Sequence, residues 1–138
     1  MIYEEKLEIL NSRCERTGWR KHCGIKVAKL EGDKLTLSML ITEELSNVHG
    51  IAHGGALSGL LDTVMGLSCM LKGKKVVTMN LNLNFIKGPK IGTTVYATAD
   101  ISHIGRTSII SDAECFDEKG TLYAKANGTF YVLRDRKE

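Results

Sequence analysis

Apolar residues recur along this chain with two different periods. Residues 2 to 16 place Ile2, Tyr3, Leu7, Leu10 and Cys14 at helical spacing, which predicts a helix over about 2–16 that stops near Gly18. In "KVAKLEGDKLTLSMLI" the spacing changes to alternation on either side of Gly32 and Asp33, predicting a hairpin with Leu35, Leu37, Met39 and Ile41 on one face. The helical period returns in "GGALSGLLDTVMGLSCMLKG", where Leu57, Leu60, Leu61, Val64, Met65, Ser68 and Leu71 form a stripe. That predicts a long helix over about 54–72, closed by Gly73. Four more alternating segments follow, Val76 to Phe85, Thr94 to His103, Thr107 to Phe116 and Leu122 to Leu133. They are separated by "KGPKIG", "IGR" and "DEKG", each with the residues that turns require.

A run of antiparallel strands needs its apolar face covered, and the long helix carries the matching stripe. The expected fold is α+β: one domain over residues 1–138, a curved antiparallel sheet wrapped around a long central helix. Composition agrees with one ordinary globular core, at 43% hydrophobic and 25% charged residues. The charged start "MIYEEKLEIL" does not read as a signal peptide, and no apolar run approaches the ~20 residues of a membrane span. A cytoplasmic protein without a membrane partner is expected. Cys14, Cys23, Cys69 and Cys115 form no C-x-x-C pair, so they are expected to be reduced and packed. A formal charge of +3, spread along the chain, is too small to suggest a nucleic-acid footprint by itself, so no nucleic-acid partner is expected, and it leaves a small anionic ligand open.

The candidate chemistry gathers in "NVHGIAHGG", Asn47 to Gly55, and in the helix behind it. His49 and His53 with Asp62 raise the question of a metal, but Gly50, Gly54 and Gly55 oppose the helix on which an i, i+4 histidine pair shares one. No metal is expected. A glycine-rich helix mouth can instead cradle an oxygen acquiring negative charge, because the first helical N–H groups lack partners and glycine permits close approach. The other reading is a tight loop packed against the sheet. Asp62 projects onto the helix face of Ser58, Gly59, Gly66 and Cys69, which is small and uncharged, unlike a solvated face. Something approaches it closely, and Asp62 either meets that ligand or chain as a catalytic carboxylate or binds a neighbouring loop. Gly54 and Asp62 stand ~12 Å apart along the axis, too far to reach one carbonyl together. If they act together they come from different subunits of a two-fold dimer. In "VVTMNLNLNF", Val77, Met79, Leu81, Leu83 and Phe85 are expected on one face and Thr78, Asn80, Asn82 and Asn84 on the other, with the Thr78 hydroxyl able to hold a water.

The sequence "N-V-H-G-I-A-H-G-G" followed by "L-L-D-T", together with "NLNFIKGPKIG" after the helix, resembles the hotdog-fold acyl-CoA thioesterases, in particular their phenylacetyl-CoA thioesterase-like branch. The resemblance runs from about residue 20 onward. It implies a hotdog fold and hydrolysis of a small or medium acyl-CoA, with coenzyme A as part of the substrate and no separate cofactor. It further implies that the Gly54 N–H meets the thioester carbonyl, that Asn47 and His53 shape the pocket, and that Asp62 of the partner subunit activates water or attacks directly, helped by Thr78. Asn80 and Phe85 would line the pantetheine or acyl channel. The turn "HIGRTS", comprising His103, Ile104, Gly105, Arg106, Thr107 and Ser108, would lie against the CoA nucleotide; an arginine there can pair with phosphate, or can be a plain hairpin-tip residue. Lys87 and Lys90 are further candidates for that work. A homo-oligomer is implied, a dimer at least and a homotetramer, a dimer of dimers, by the family's habit. No glutamate replaces Asp62, the long motif of the acyl-carrier-protein dehydratases is absent, and no helix-turn-helix is fused. The fold also hosts other functions, so a non-catalytic acyl-CoA-binding module and a hotdog enoyl-CoA hydratase stay as alternatives.

Overall fold

Leu35, Leu37, Met39 and Ile41 are all sealed from solvent, as the alternation predicts; the first three belong to a strand laid against the long helix and Ile41 follows its end. The computed structural model describes residues 2–16 and 18–134 of the chain. The element order is α1 (Tyr3–Arg16), α2 (Gly18–Cys23), β1 (Lys26–Glu31), β2 (Lys34–Leu40), a 3-10 turn (Glu43–Leu45), α3 (Gly54–Leu71), β3 (Val76–Phe85), β4 (Thr94–Ile104), β5 (Ser108–Phe116) and β6 (Leu122–Val132). All six strands form one sheet in the order β1-β2-β4-β5-β6-β3, and every neighbouring pair is antiparallel. The sheet is not closed: β1 and β3 are its edges.

The helix α3 runs across the concave face and packs on β2 to β6. Leu57, Leu60, Leu61, Val64 and Met65 are almost wholly buried against Val95, Ala97, Ile109, Cys115, Ala124 and Phe130. Each such large side chain contributes roughly 1.5–3 kcal/mol relative to its exposed state. Among the described residues α3 alone would pass as a membrane span by length and hydropathy, and its burial under the sheet accounts for that apolarity. Cys69 joins the core at 0% exposure, which corrects its assignment to the small outer face with Asp62. All four cysteines are buried and free; burial raises the Cys14 and Cys23 thiols and pushes Cys69 to about 11 and Cys115 to about 12.

The N-terminal helix lies where the spacing predicts it, and a further short helix that periodicity does not predict follows it. α1 ends at Arg16, and a second short helix, α2, begins at Gly18. Leu10 and Cys14 anchor α1 in the core. Lys6 of α1 and Lys72, at the end of α3, both donate to the Asp33 carboxylate in the β1–β2 turn, at 2.7 and 3.2 Å. One carboxylate thereby ties three elements together.

The strand β3 corrects a second expectation. A bulge at Met79 interrupts its pairing with β6, so the strict alternation across the strand fails there. Thr78 sits opposite Phe130, Leu81 opposite Gly128, Leu83 opposite Ala126 and Phe85 opposite Ala124, all on the face toward α3. Val77, Asn80, Asn82 and Asn84 pair with Tyr131, Thr129, Asn127 and Lys125 on the other face. The extra residue moves Thr78 to the helix side, where strict alternation had not put it.

Candidate active site

The loop before α3 is held by its own backbone. Asn47 donates its N–H to the Ile51 carbonyl at 2.8 Å, and its side-chain Oδ1 accepts from the His49 N–H at 2.9 Å. Ala52 donates to the Pro89 carbonyl and His53 to the Leu45 carbonyl, both at 2.8 Å. His53 is the N-cap: its Nδ1 accepts from the Gly55 N–H at 2.8 Å, and its carbonyl accepts from Ala56. A side-chain acceptor at this position satisfies one orphan amide of the first turn. The Gly54 N–H has no acceptor among the described residues. It therefore stands at the positive end of the helix dipole as an unused donor. The Phe85 ring lies across this mouth, with Cζ 3.3 Å from where a Cβ on Gly54 would stand.

Two turns further on, Asp62 is half-buried on the face that the sheet does not cover. The Thr78 hydroxyl donates to its Oδ1 at 2.6 Å, bringing β3 and α3 together at one carboxylate. The bulge at Met79 makes this contact possible. The second carboxylate oxygen keeps its acceptor capacity for a water or substrate proton. The small face around Asp62 is met from within the chain by α2. Trp19 lies on Gly59, and Arg20 is close enough for the Asp62 charge to act on it. Burial holds the Arg20 guanidinium below its ordinary pKa; the Cys14 charge opposes this, the Arg13 charge adds to it, and Asp62 opposes it.

The turn after β4 presents its own concentration of donors. Gly105 donates to the Ser108 carbonyl at 2.8 Å, and the Thr107 carbonyl accepts from Val132 at 2.9 Å, so the turn is fastened to the end of β6. Arg106 and Thr107 are exposed, and the His103 ring stands beside Gly105. Through β6, Ser108 is in register with Tyr131 and Tyr131 with Val77, so the turn lies at the Thr78 end of β3. Gly54, His53 and Phe85 gather at the opposite end of that strand. Within one chain, then, two separate groups of candidate residues form, one around Asp62 and Thr78 and one around the Gly54 mouth. Asn80 belongs to neither, because it faces away from α3. Asn47 serves the loop through its Oδ1. Lys87 and Lys90 are exposed beside the helix mouth, Lys90 bridging to Ile51. His49 and His53 are both exposed, and among the described residues no three His, Cys, Asp or Glu side chains converge.

The residues that sequence reasoning missed are Trp19 and Arg20. They lie just beyond the expected helix end at Gly18, on an element too short for periodicity to reveal. The available signal was Gly59, a mid-helix glycine with an approaching group still to be named.

Residues 49–124 match the family model described as Thioesterase superfamily. The chain is 26% identical over 114 residues to the acyl-coenzyme A thioesterase PaaI of Escherichia coli, covering 83% of this chain and 81% of that protein. The solved structure of E. coli PaaI superposes with a TM-score of 0.85 over 94% of this chain and 95% of that one, at 24% identity, which establishes the shared fold. Mouse acyl-coenzyme A thioesterase 13 is 29% identical over 103 residues, covering 72% of this chain and 74% of that protein. The crystal structure of smu.793 from Streptococcus mutans, bound to acetyl CoA, gives a TM-score of 0.76 at 27% identity, over 82% of this chain and 91% of that one.

Proposed function

As a member of the thioesterase superfamily with the hotdog fold, the chain is a thioester hydrolase, and we propose that it cleaves a small or medium acyl-CoA at a site shared by two copies of itself. The observation that carries the reading is the half-exposed Asp62 carboxylate, gripped by Thr78 at 2.6 Å on the small face of α3. A module that merely binds acyl-CoA gains little from a carboxylate beside a thioester. The names of PaaI and of mouse thioesterase 13, and the acetyl CoA held by the S. mutans protein, support CoA thioesters as the substrate class.

The shared site follows from β3. This edge strand has β6 on one side only, and its Val77, Met79 and Phe85 are about half exposed. A long, open apolar edge invites pairing with another strand. Antiparallel pairing of β3 with its own copy, centred near Leu81 and Asn82, brings Thr78 of one chain beside Phe85 of the other. Asp62 then faces the partner subunit's Gly54, which a single chain holds ~12 Å away along the helix. Two equivalent sites result, and a dimer of dimers extends the same unit.

In that site the Gly54 N–H donates to the carbonyl oxygen as it becomes an oxyanion. Asp62 either takes a proton from water, which adds to the carbonyl carbon, or adds to that carbon itself to give an anhydride that water later opens. Either route breaks the C–S bond, releases CoA as its thiol after protonation, and leaves the free acid. Phe85 and the helix mouth exclude bulk water, and Arg106 in the His103–Ser108 turn pairs with a CoA phosphate. No metal enters any step.

Free-thiol release from a panel of acyl-CoA substrates tests the reading, with wild type compared against Asp62→Asn. Turnover by wild type and its loss in the variant are expected. Tight binding with no turnover on any substrate would mean a binding module, and enoyl-CoA hydration without thiol release would mean a hydratase.

A further inference from the structure

Gly59 lies one helical turn before Asp62 on the same face of α3. A Cβ there would stand 2.6 Å from Trp19 Cζ2 and 3.1 Å from both Cε2 and Nε1. The helix is therefore cut back to glycine so that the edge of the indole can lie on its backbone. A mid-helix glycine costs about 1 kcal/mol relative to alanine, a cost maintained here by a side chain that is itself 51% exposed. Ordinary core packing would bury such a residue; this one stays about half exposed, one turn of α3 from Asp62.

An acyl group whose carbonyl carbon meets Asp62 must extend along this face in one of two directions. Toward the C-terminal end, from Gly66 onward, the chain has a cavity of about 370 Å³ lined by Arg13, Arg20, Lys74 and Lys75 together with apolar residues such as Leu67 and Met70. An acyl tail on that side would have to lie among four cations and strip water from them, which is costly. Toward the N-terminal end lies Trp19. Gly59 and Asp62 are ~4.5 Å apart along the axis, so the indole is within reach of acyl carbons beyond about the third and out of reach of an acetyl methyl.

We infer that Trp19 is the wall of the acyl pocket, delivered by α2 onto Gly59, and that it selects thioesters whose acyl group extends past the third carbon with an apolar body. This rests on the placement of the reaction at Asp62 proposed above. Trp19 is then a specificity-determining residue: it touches the substrate's tail and leaves the reacting atoms to Asp62 and Thr78.

Trp19 is the chain's single tryptophan, so its emission reports on this contact alone. The S-hexyl thioether of CoA, which cannot be hydrolysed, should change the emission of wild type saturably, and CoA alone should not. Trp19→Ala should lower the hexanoyl-to-acetyl ratio of kcat/KM by about ten-fold, the scale of an apolar pocket contact, with Trp19→Phe restoring most of it. Emission unmoved while calorimetry reports S-hexyl-CoA bound, or equal losses on both substrates in Trp19→Ala, would overturn the assignment. If Trp19→Ala fails to fold, the wild-type emission decides alone. A wild type that turns over no thioester yet responds to S-hexyl-CoA would retain this wall and refute hydrolysis instead, so the two failures are separable.

Discussion

Thr78 Oγ1 donates to Asp62 Oδ1 at 2.6 Å across the gap between strand and helix. The contact fixes one carboxylate oxygen and leaves the other available, which is the arrangement a water-activating or nucleophilic aspartate needs. Replacing Asp62 by Asn keeps the shape and removes the basic oxygen; kcat for thiol release should fall by about 10²–10⁴, in the range of lost acid–base catalysis. Thr78→Val should cost about ten-fold in kcat with KM little changed, and Thr78→Ser should recover most of the rate. Steady-state kinetics on one good acyl-CoA substrate checks all three; a Thr78→Val enzyme at full rate would reduce the hydrogen bond to a structural tie.

The edge of β3 carries a prediction about assembly. Val77 and Met79 are 49% and 62% exposed beside an unpaired strand edge. Lysines on an edge oppose edge-to-edge association. A Val77→Lys, Met79→Lys double variant should sediment as a monomer, keep its circular dichroism and lose at least a hundred-fold in thioester hydrolysis. A monomeric variant with full activity would remove the shared site.

The hairpin of β1 and β2, the long helix and the four later strands were all legible from their periods of 2 and 3.6 residues, most directly in β2, β4, β5, β6 and α3, where one face is sealed. The helix-mouth glycines and Asp62 were legible for the opposite reason: they break the local pattern, and such breaks concentrate at functional sites. Two features were not legible. The bulge at Met79 changes which residues share a face without altering composition, so no period reveals that Thr78 joins Leu81 and Leu83. Trp19 reaches Gly59 across forty positions of sequence, and a contact of that kind depends on how α2 is laid over α3. Cys69 was misplaced because a projection sees one helix alone, while a sheet that curves around α3 buries more than half of its circumference.

Close packing beneath β6 makes Gly128 a sensitive position. A Cβ there would stand 2.8 Å from Phe130 Cε1 and 3.2 Å from both Met65 Sδ and Cε. Both neighbours are themselves buried, so neither can swing into solvent. Gly128→Ala should destabilise the fold by about 1–3 kcal/mol, the usual cost of overpacking, and Gly128→Val by more. Urea denaturation monitored by circular dichroism measures the difference; an unchanged midpoint would mean that Met65 repacks freely.

The clamp at Asp33 predicts an acid-sensitive term in stability. The hydrogen bonds from Lys6, then from Lys72, hold its carboxyl below the ordinary 3.8, outweighing a smaller opposing effect of burial. The unfolded chain has that ordinary value. A carboxylate with a depressed folded pKa contributes stability that is fully present above the unfolded value and is lost as pH falls through the folded one. Asp33→Asn should therefore be less stable than wild type at neutral pH, and the gap should close as pH drops below about 4. Asp117 is lowered in the same direction, chiefly by its hydrogen bond from Tyr123, so the variant should retain a residual acid dependence. Denaturation midpoints of both proteins between neutral pH and about pH 3 read out the difference. A gap that stays constant across that range would show that both lysines are screened by solvent and that Asp33 holds α1, the hairpin and α3 together by geometry alone.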